Sequence, residues 1–189
     1  MALFASGQGS NALNIIAHFK DHPDIEVAFV LSNRAGAPVL QAAAALGVAG
    51  LHYDNQQVGD GIFLSKVCKD QQVDFIVLAG YLRLVPADLI RSYPEHIFNI
   101  HPALLPKFGG AGMYGNFVHE AIQLAGEAET GITVHYVDEV FDAGRIIAQM
   151  YCRVDPSDGL EEIRQKVQVL EHAYYPVIIE KTILNHRYV

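Results

Sequence analysis

The chain opens with apolar runs that alternate with stretches of helix-like spacing. Residues 2–5, 25–31, 75–79 and 97–100 form continuous apolar runs, with a weaker one at 49–53, and these predict strands. Between them, residues 11–19, 38–46, 61–69 and 86–92 carry apolar side chains at helical spacing. Strands that are apolar throughout belong to a sheet covered on both faces, so the first hundred residues read as a parallel, doubly wound α/β unit. Residues 2–5 are short for a central strand, as if the chain began slightly late.

After Gly115 the pattern changes. Residues 116–124 are helical, and residues 130–137 alternate, with Ile132, Val134 and Tyr136 set against Thr133 and His135. Residues 145–154 form a second strand-like run, so the two pair as an antiparallel hairpin around the loop at 138–144. Asp158-Gly159 then opens a long helix from Leu160 to about Leu184, interrupted or bent at Pro176. With no visible linker or repeat, residues 1–189 read as one domain. The expected fold is a mostly parallel, Rossmann-like sheet with an antiparallel C-terminal extension and a long terminal helix.

Charge narrows the partners. With 13 Lys+Arg against 21 Asp+Glu, the net charge of −8 argues against nucleic acid, which needs a basic surface. A phosphorylated small molecule stays open, because helix N-termini and backbone amides hold phosphate without net positive charge. No apolar span approaches the ~20 residues of a membrane helix, and Cys68 and Cys152 lack metal-type neighbours. The chain therefore reads as cytoplasmic, without disulfides, and as a monomer or homodimer.

The chemistry concentrates at Asn99-Ile100-His101-Pro102. Two-residue spacing on a strand turns Asn99 and His101 to one side, and Pro102 ends the ladder, leaving both at the carboxyl edge where open parallel sheets bind ligands. An amide donor beside an imidazole suits a reaction that builds an oxyanion and moves a proton. Upstream, Ser6-Gly7-Gln8-Gly9-Ser10-Asn11 joins the first strand to the first helix, with Ser10 as a cap. The turn favours an anion but lacks the third glycine of a dinucleotide site. Downstream, Asp138, Glu139 or Asp142 can supply a carboxylate that orients His101 and raises its pKa; spacing does not choose among them. Nothing has the spacing of a metal site.

Four blocks in this order carry a resemblance: Gly7-Gln8-Gly9-Ser10-Asn11, Leu78-Ala79-Gly80-Tyr81-Leu82-Arg83, Asn99-Ile100-His101-Pro102-Ala103-Leu104-Leu105-Pro106-Lys107, and Thr130-Gly131-Ile132-Thr133-Val134-His135 followed by Asp142. The chain resembles the folate-dependent formyltransferases over nearly its whole length. The resemblance implies formyl transfer from the co-substrate 10-formyltetrahydrofolate to the primary amine of N1-(5-phosphoribosyl)glycinamide, with no metal. It implies a catalytic trio of Asn99, His101 and Asp142. The ribonucleotide and its phosphate are expected at Gly9, Ser10, Asn11, Gln168, Val169, Leu170 and Glu171. The folate is expected at Leu82, Arg83, Leu84, Val85 and Asn99, and at Asp138, Glu139, Val140, Phe141 and Asp142.

Three departures bear on this. The loop at 108–115 is longer and richer in glycine than in many relatives. Asp142-Ala143-Gly144-Arg145 stands where Asp-Gly-Gly-Pro is commoner, and Asn55-Gln56-Gln57 lies where some relatives place an arginine for the folate tail. A non-catalytic nucleotide-binding module would account for the glycine turn but not for Asn99, His101 and Asp142 together.

Overall fold

A computed structural model describes residues 1–186. One sheet of seven strands organises it: β1 (Ala2–Phe4), β2 (Phe29–Ser32), β3 (Ala49–His52), β4 (Ile76–Leu78), β5 (Ile97–His101), β6 (Glu129–Tyr136) and β7 (Ile146–Arg153), in spatial order β3-β2-β1-β4-β5-β6-β7. The first five are parallel; β6 runs antiparallel to β5, and β7 antiparallel to β6. The short β1 is central, with β2 on one side and β4 on the other.

Period-2 alternation sends neighbouring residues into two different cores. Leu3, Val30, Val77 and Phe98 face the side covered by α1 (Ser10–Phe19) and α6 (Leu160–His186), against Ile15, Phe19, Tyr175 and Ile179. Ala2, Phe4, Leu31, Ile76 and Ile97 face α3 (Gly61–Asp70) and α4 (Ala87–Ser92), against Leu64, Cys68 and Leu89. Helix α2 (Pro38–Ala45) adds Val39 and Ala43 to the first core, and α5 (Asn116–Ala125) lies beside α6 over the loop that follows β5.

Two expectations are corrected. The run at 25–31 becomes strand only from Phe29, because its start is hydrogen-bonded elsewhere. The Ile25 N–H goes to His22 Nδ1, and the Glu26 carbonyl accepts from the Met1 amino group. Helix α6 is not interrupted at Pro176. Proline lacks the N–H that would reach the carbonyl four residues back, and Asn14 Nδ2 on α1 donates to that His172 carbonyl instead, at 2.7 Å. The Tyr175 hydroxyl, fully buried, donates to the Leu78 carbonyl at 2.9 Å and ties α6 to the end of β4.

Cys68 and Cys152 are free thiols. Among the described residues, no helix is long and apolar enough to cross a membrane, and no cluster of three His, Cys, Asp or Glu side chains is arranged to hold a metal ion.

Candidate active site

The loops after β1, β4 and β5 meet at the carboxyl ends of the parallel strands, where open α/β sheets leave a crevice. Ser6 lashes the first two together: its hydroxyl donates to Asn33 Oδ1 at 2.7 Å and accepts from the Leu82 N–H at 3.0 Å. Asn33 in turn donates to Asn55 Oδ1 at 3.0 Å, so Asn55 is engaged in holding this turn.

Ser10 does not cap α1. Gly9 holds the N-cap position at φ 76°, and no side chain caps the helix. A Cβ on Gly9 would lie 2.1 Å from Val39 Cγ2, so close packing against α2 and the left-handed backbone both demand glycine there. The hydroxyl residue falls one place inside the helix.

Two cavities meet at the end of β5. The first, of 470 Å³, is lined by Asn11, Glu171 and Arg164, by Asn99 and His101, and by Gly110 and His119. The second, of 50 Å³, lies between Leu84, Val85 and Val140. Both are bounded by Tyr81, Asn99, Phe141 and Asp142.

At this junction Asp142, at φ 54°, sits between two buried imidazoles. Its Oδ2 lies 3.4 Å from His101 Nδ1 and accepts from the Gly110 N–H at 2.9 Å; its Oδ1 lies 3.6 Å from His135 Nε2. His101 Nε2 is 2.7 Å from the Phe108 carbonyl, which only an N–H can satisfy. A neutral His101 therefore carries its proton on Nε2 and turns a bare Nδ1 toward Asp142. His135 lies directly opposite Asn99 in the β5–β6 register. Its Nδ1 is 2.8 Å from the Tyr136 carbonyl, which leaves Nε2 to accept from Asn99 Nδ2 at 3.2 Å.

Burial is the largest single influence on each of the three groups His101, Asp142 and Glu171, and at Asp142 its neighbours together overcome it. Burial pushes the His101 pKa below the ordinary value, against the raising effects of the Asp142 charge and the Phe108 carbonyl. The carboxylate does raise His101 as expected, but desolvation outweighs it. Burial alone would raise Asp142, yet the His135 ring, the His101 charge and the Gly110 N–H together hold it below the ordinary carboxylate value. Burial raises Glu171 on α6, against the hydrogen bond donated by Asn11 Nδ2 at 2.9 Å and the charge of Arg164.

The remaining expected residues divide. Arg83, Leu84, Val85, Asp138, Val140 and Phe141 line the second cavity, and Leu82 the first. Glu139 points away, paired with Arg91 at 2.9 Å. Gly9, Ser10, Gln168, Val169 and Leu170 border neither cavity, and Leu170 packs on the core. Among the cavity residues to which the sequence assigned no role are three that can titrate or carry charge, His135, His119 and Arg164. His135 stood in the alternation of residues 130–137 and in the block that carries the resemblance, but with no role, since its partner depends on the antiparallel register. His119 and Arg164 looked like ordinary helix positions.

The family described as formyl transferase matches residues 1–179. The phosphoribosylglycinamide formyltransferase of Bacillus subtilis is 36% identical over 98% of this chain and 96% of its own length. The chloroplastic enzyme of that name from Arabidopsis thaliana is 37% identical over 95% of this chain, which spans 63% of the plant protein. The crystal structure of phosphoribosylglycinamide formyltransferase from Bacillus halodurans is 37% identical, with a TM-score of 0.86 over 95% of this chain and 93% of that one. Matched along nearly its whole length in sequence and in fold, the chain belongs to the formyl transferase family.

Proposed function

We propose that this chain transfers the formyl group of 10-formyltetrahydrofolate to the primary amine of N1-(5-phosphoribosyl)glycinamide, giving the N-formyl ribonucleotide and tetrahydrofolate for purine synthesis. One observation carries the reading: two cavities of different character meet at Asn99 and Asp142, beside His101. The larger, with Asn11 and Glu171, suits a polar ribonucleotide whose phosphate lies toward the N-terminus of α1, where Asn11 lines the cavity. The smaller, between Leu84, Val85 and Val140, suits the apolar face of a pterin, with main-chain groups of residues 138–142 for its polar edge.

The residues then divide the chemistry. As the amine nitrogen bonds to the formyl carbon, the carbonyl oxygen takes up negative charge. One hydrogen of the Asn99 amide is engaged on His135, and the second is available to that oxygen. The bare Nδ1 of His101 accepts the amine's proton and returns it to the folate nitrogen as the old C–N bond breaks. Asp142 steadies the transient imidazolium. The chain's own residues thus supply the proton path without a metal. A monomeric or homodimeric cytoplasmic enzyme is part of this reading.

The test is to mix the protein with the ribonucleotide and 10-formyltetrahydrofolate and follow folate absorbance. Turnover is the expected result. Binding of both without transfer would refute it in favour of a nucleotide-binding module, and transfer only to another amine would point to a different acceptor.

A further inference from the structure

Part of the larger cavity's wall is built by α5 and α6, which carry none of the catalytic trio. Arg164 is the only lysine or arginine among the residues lining it. His119 also lines it, with 5% of its surface exposed and its Nδ1 sealed without a hydrogen-bond partner. Asn116 lies one turn before His119 on α5 and faces the same space.

These groups are strongly biased toward donating. A guanidinium has five N–H donors and no acceptor. A sealed imidazole nitrogen is less costly as a bare lone pair than as an orphaned N–H, which puts the His119 proton on Nε2. Burial, and after it the charges of Arg164 and His101, lower the pKa of that ring below its ordinary value. In a chain of net charge −8, a donor-rich cavity wall marks where an acceptor-rich anionic group goes.

Arg164 is free to serve. Its guanidinium rests on Glu161, three residues earlier on the helix rim, with Nε 2.8 Å and Nη2 2.5 Å from that carboxylate. The pair is substantially exposed, 39% for Arg164 and 57% for Glu161. The pair is bidentate, but at this exposure solvent screens it, and a doubly charged ligand group competes with the singly charged carboxylate for the guanidinium.

Resting on the proposed acceptor, we infer that Arg164, flanked by His119 Nε2, is a phosphate-reading residue of the ribonucleotide cavity. It leaves Glu161 to donate to the phosphate from α6, the helix on which Asn11 holds Glu171 at 2.9 Å. Arg164 is thus a specificity determinant for the phosphorylated acceptor over its riboside.

The test compares calorimetric binding of the ribonucleotide and of its dephosphorylated riboside to the full chain. Arg164→Gln is expected to weaken ribonucleotide binding about 10- to 100-fold, the range for a hydrogen bond to a charged group, and to leave riboside binding unchanged. Glu161→Gln, which releases the guanidinium, is expected to tighten ribonucleotide binding alone. His119→Gln, checked for folding by circular dichroism, is expected to weaken the ribonucleotide more than the riboside. Equal loss for both ligands, or no loss, in Arg164→Gln would overturn the inference. Absence of formyl transfer by the unaltered protein would instead overturn the proposed reaction, and the two-ligand comparison would still decide the phosphate contact.

Discussion

The Asn14 side-chain amide donates to the His172 carbonyl across 2.7 Å, and that carbonyl stands four residues before Pro176. Helix α1 therefore supplies a hydrogen bond that α6 cannot make for itself. The repair lies one residue from Glu171, which Asn11 holds at 2.9 Å one turn earlier on α1. The two asparagines fasten the cavity end of α6 to the helix that follows β1.

Removing that donor leaves the carbonyl of a partly buried helix unsatisfied. Asn14→Ala is expected to cost about 1–3 kcal/mol in denaturant unfolding. With Pro176→Ala, the new backbone N–H can reach the His172 carbonyl, so the same Asn14→Ala change should then cost less. A double-mutant cycle with no coupling between the two positions would dismiss the relationship.

Asp142 is the carboxylate that the structure sets beside His101, at 3.4 Å, whereas Glu139 is held by Arg91. Asp142→Asn keeps the shape and removes the charge. Steady-state kinetics should show kcat reduced by about 10²–10⁴-fold, the range for lost acid–base assistance, with a much smaller change in KM. An unaltered kcat would remove Asp142 from the mechanism.

The same pair makes a pH prediction. His101 in the folded protein titrates below its ordinary value of 6.5, with burial the main cause and Asp142 opposing it. Between the folded and unfolded values the unfolded chain binds the additional proton, so the His101 contribution to stability falls as pH drops through that window. Asp142 is held below its ordinary 3.8, so its own contribution is full above that value and is lost as pH falls through the lower folded value. NMR titration of the His101 ring should give a value under 6.5 in the unaltered protein and a lower one in Asp142→Asn. A rise on removing the carboxylate would contradict the assigned geometry.

Asn99 is expected to act on the developing oxyanion. Asn99→Ala should lower kcat by about 10²–10³-fold, the cost of one oxyanion donor. His135, which accepts from Asn99 Nδ2 at 3.2 Å, acts through it. His135→Gln should therefore lower kcat less than Asn99→Ala does, with KM for both substrates close to unchanged. A His135 variant as damaged as the Asn99 one would mean that the imidazole has a direct part.

Local pattern carried much of the fold and part of the site. The apolar runs, the switch to alternation after Gly115 and the Asn99–His101 spacing are all local, and each corresponds to an element that depends on short-range geometry. What escaped depends on distant partners. Strand β2 begins at Phe29 because His22 and Met1 take the backbone groups before it. Helix α6 passes Pro176 because Asn14, 158 residues away, supplies the missing bond. His119 and Arg164 occupy helical positions whose importance appears only when α5 and α6 build part of a cavity's wall. Asp142, indistinct among three acidic residues, is singled out by a Gly110 N–H and two imidazoles from other segments.

The loop that carries Asp142 turns on Gly144. A Cβ there would lie 1.8 Å from the Tyr136 carbonyl oxygen and 2.8 Å from its carbon, so any side chain must push the backbone apart. Tyr136 ends β6, and its N–H bonds the Arg145 carbonyl at 2.9 Å, so the displacement acts where the hairpin closes. A register shift between Val134 and His135 already bends the pair there, a feature common beside active sites. Gly144→Ala should therefore move residues 138–144 and withdraw Asp142 from His101. The expected outcome is a kcat loss approaching that of Asp142→Asn, with folding retained because the clash falls in a loop rather than the core. Placement matters here more than stability, since a shift of about 1 Å can cost 100-fold in rate. Ala143→Gly, which adds freedom without a clash, should leave kcat within a few-fold of the starting value. Full activity in Gly144→Ala would show that the hairpin end yields without moving the carboxylate.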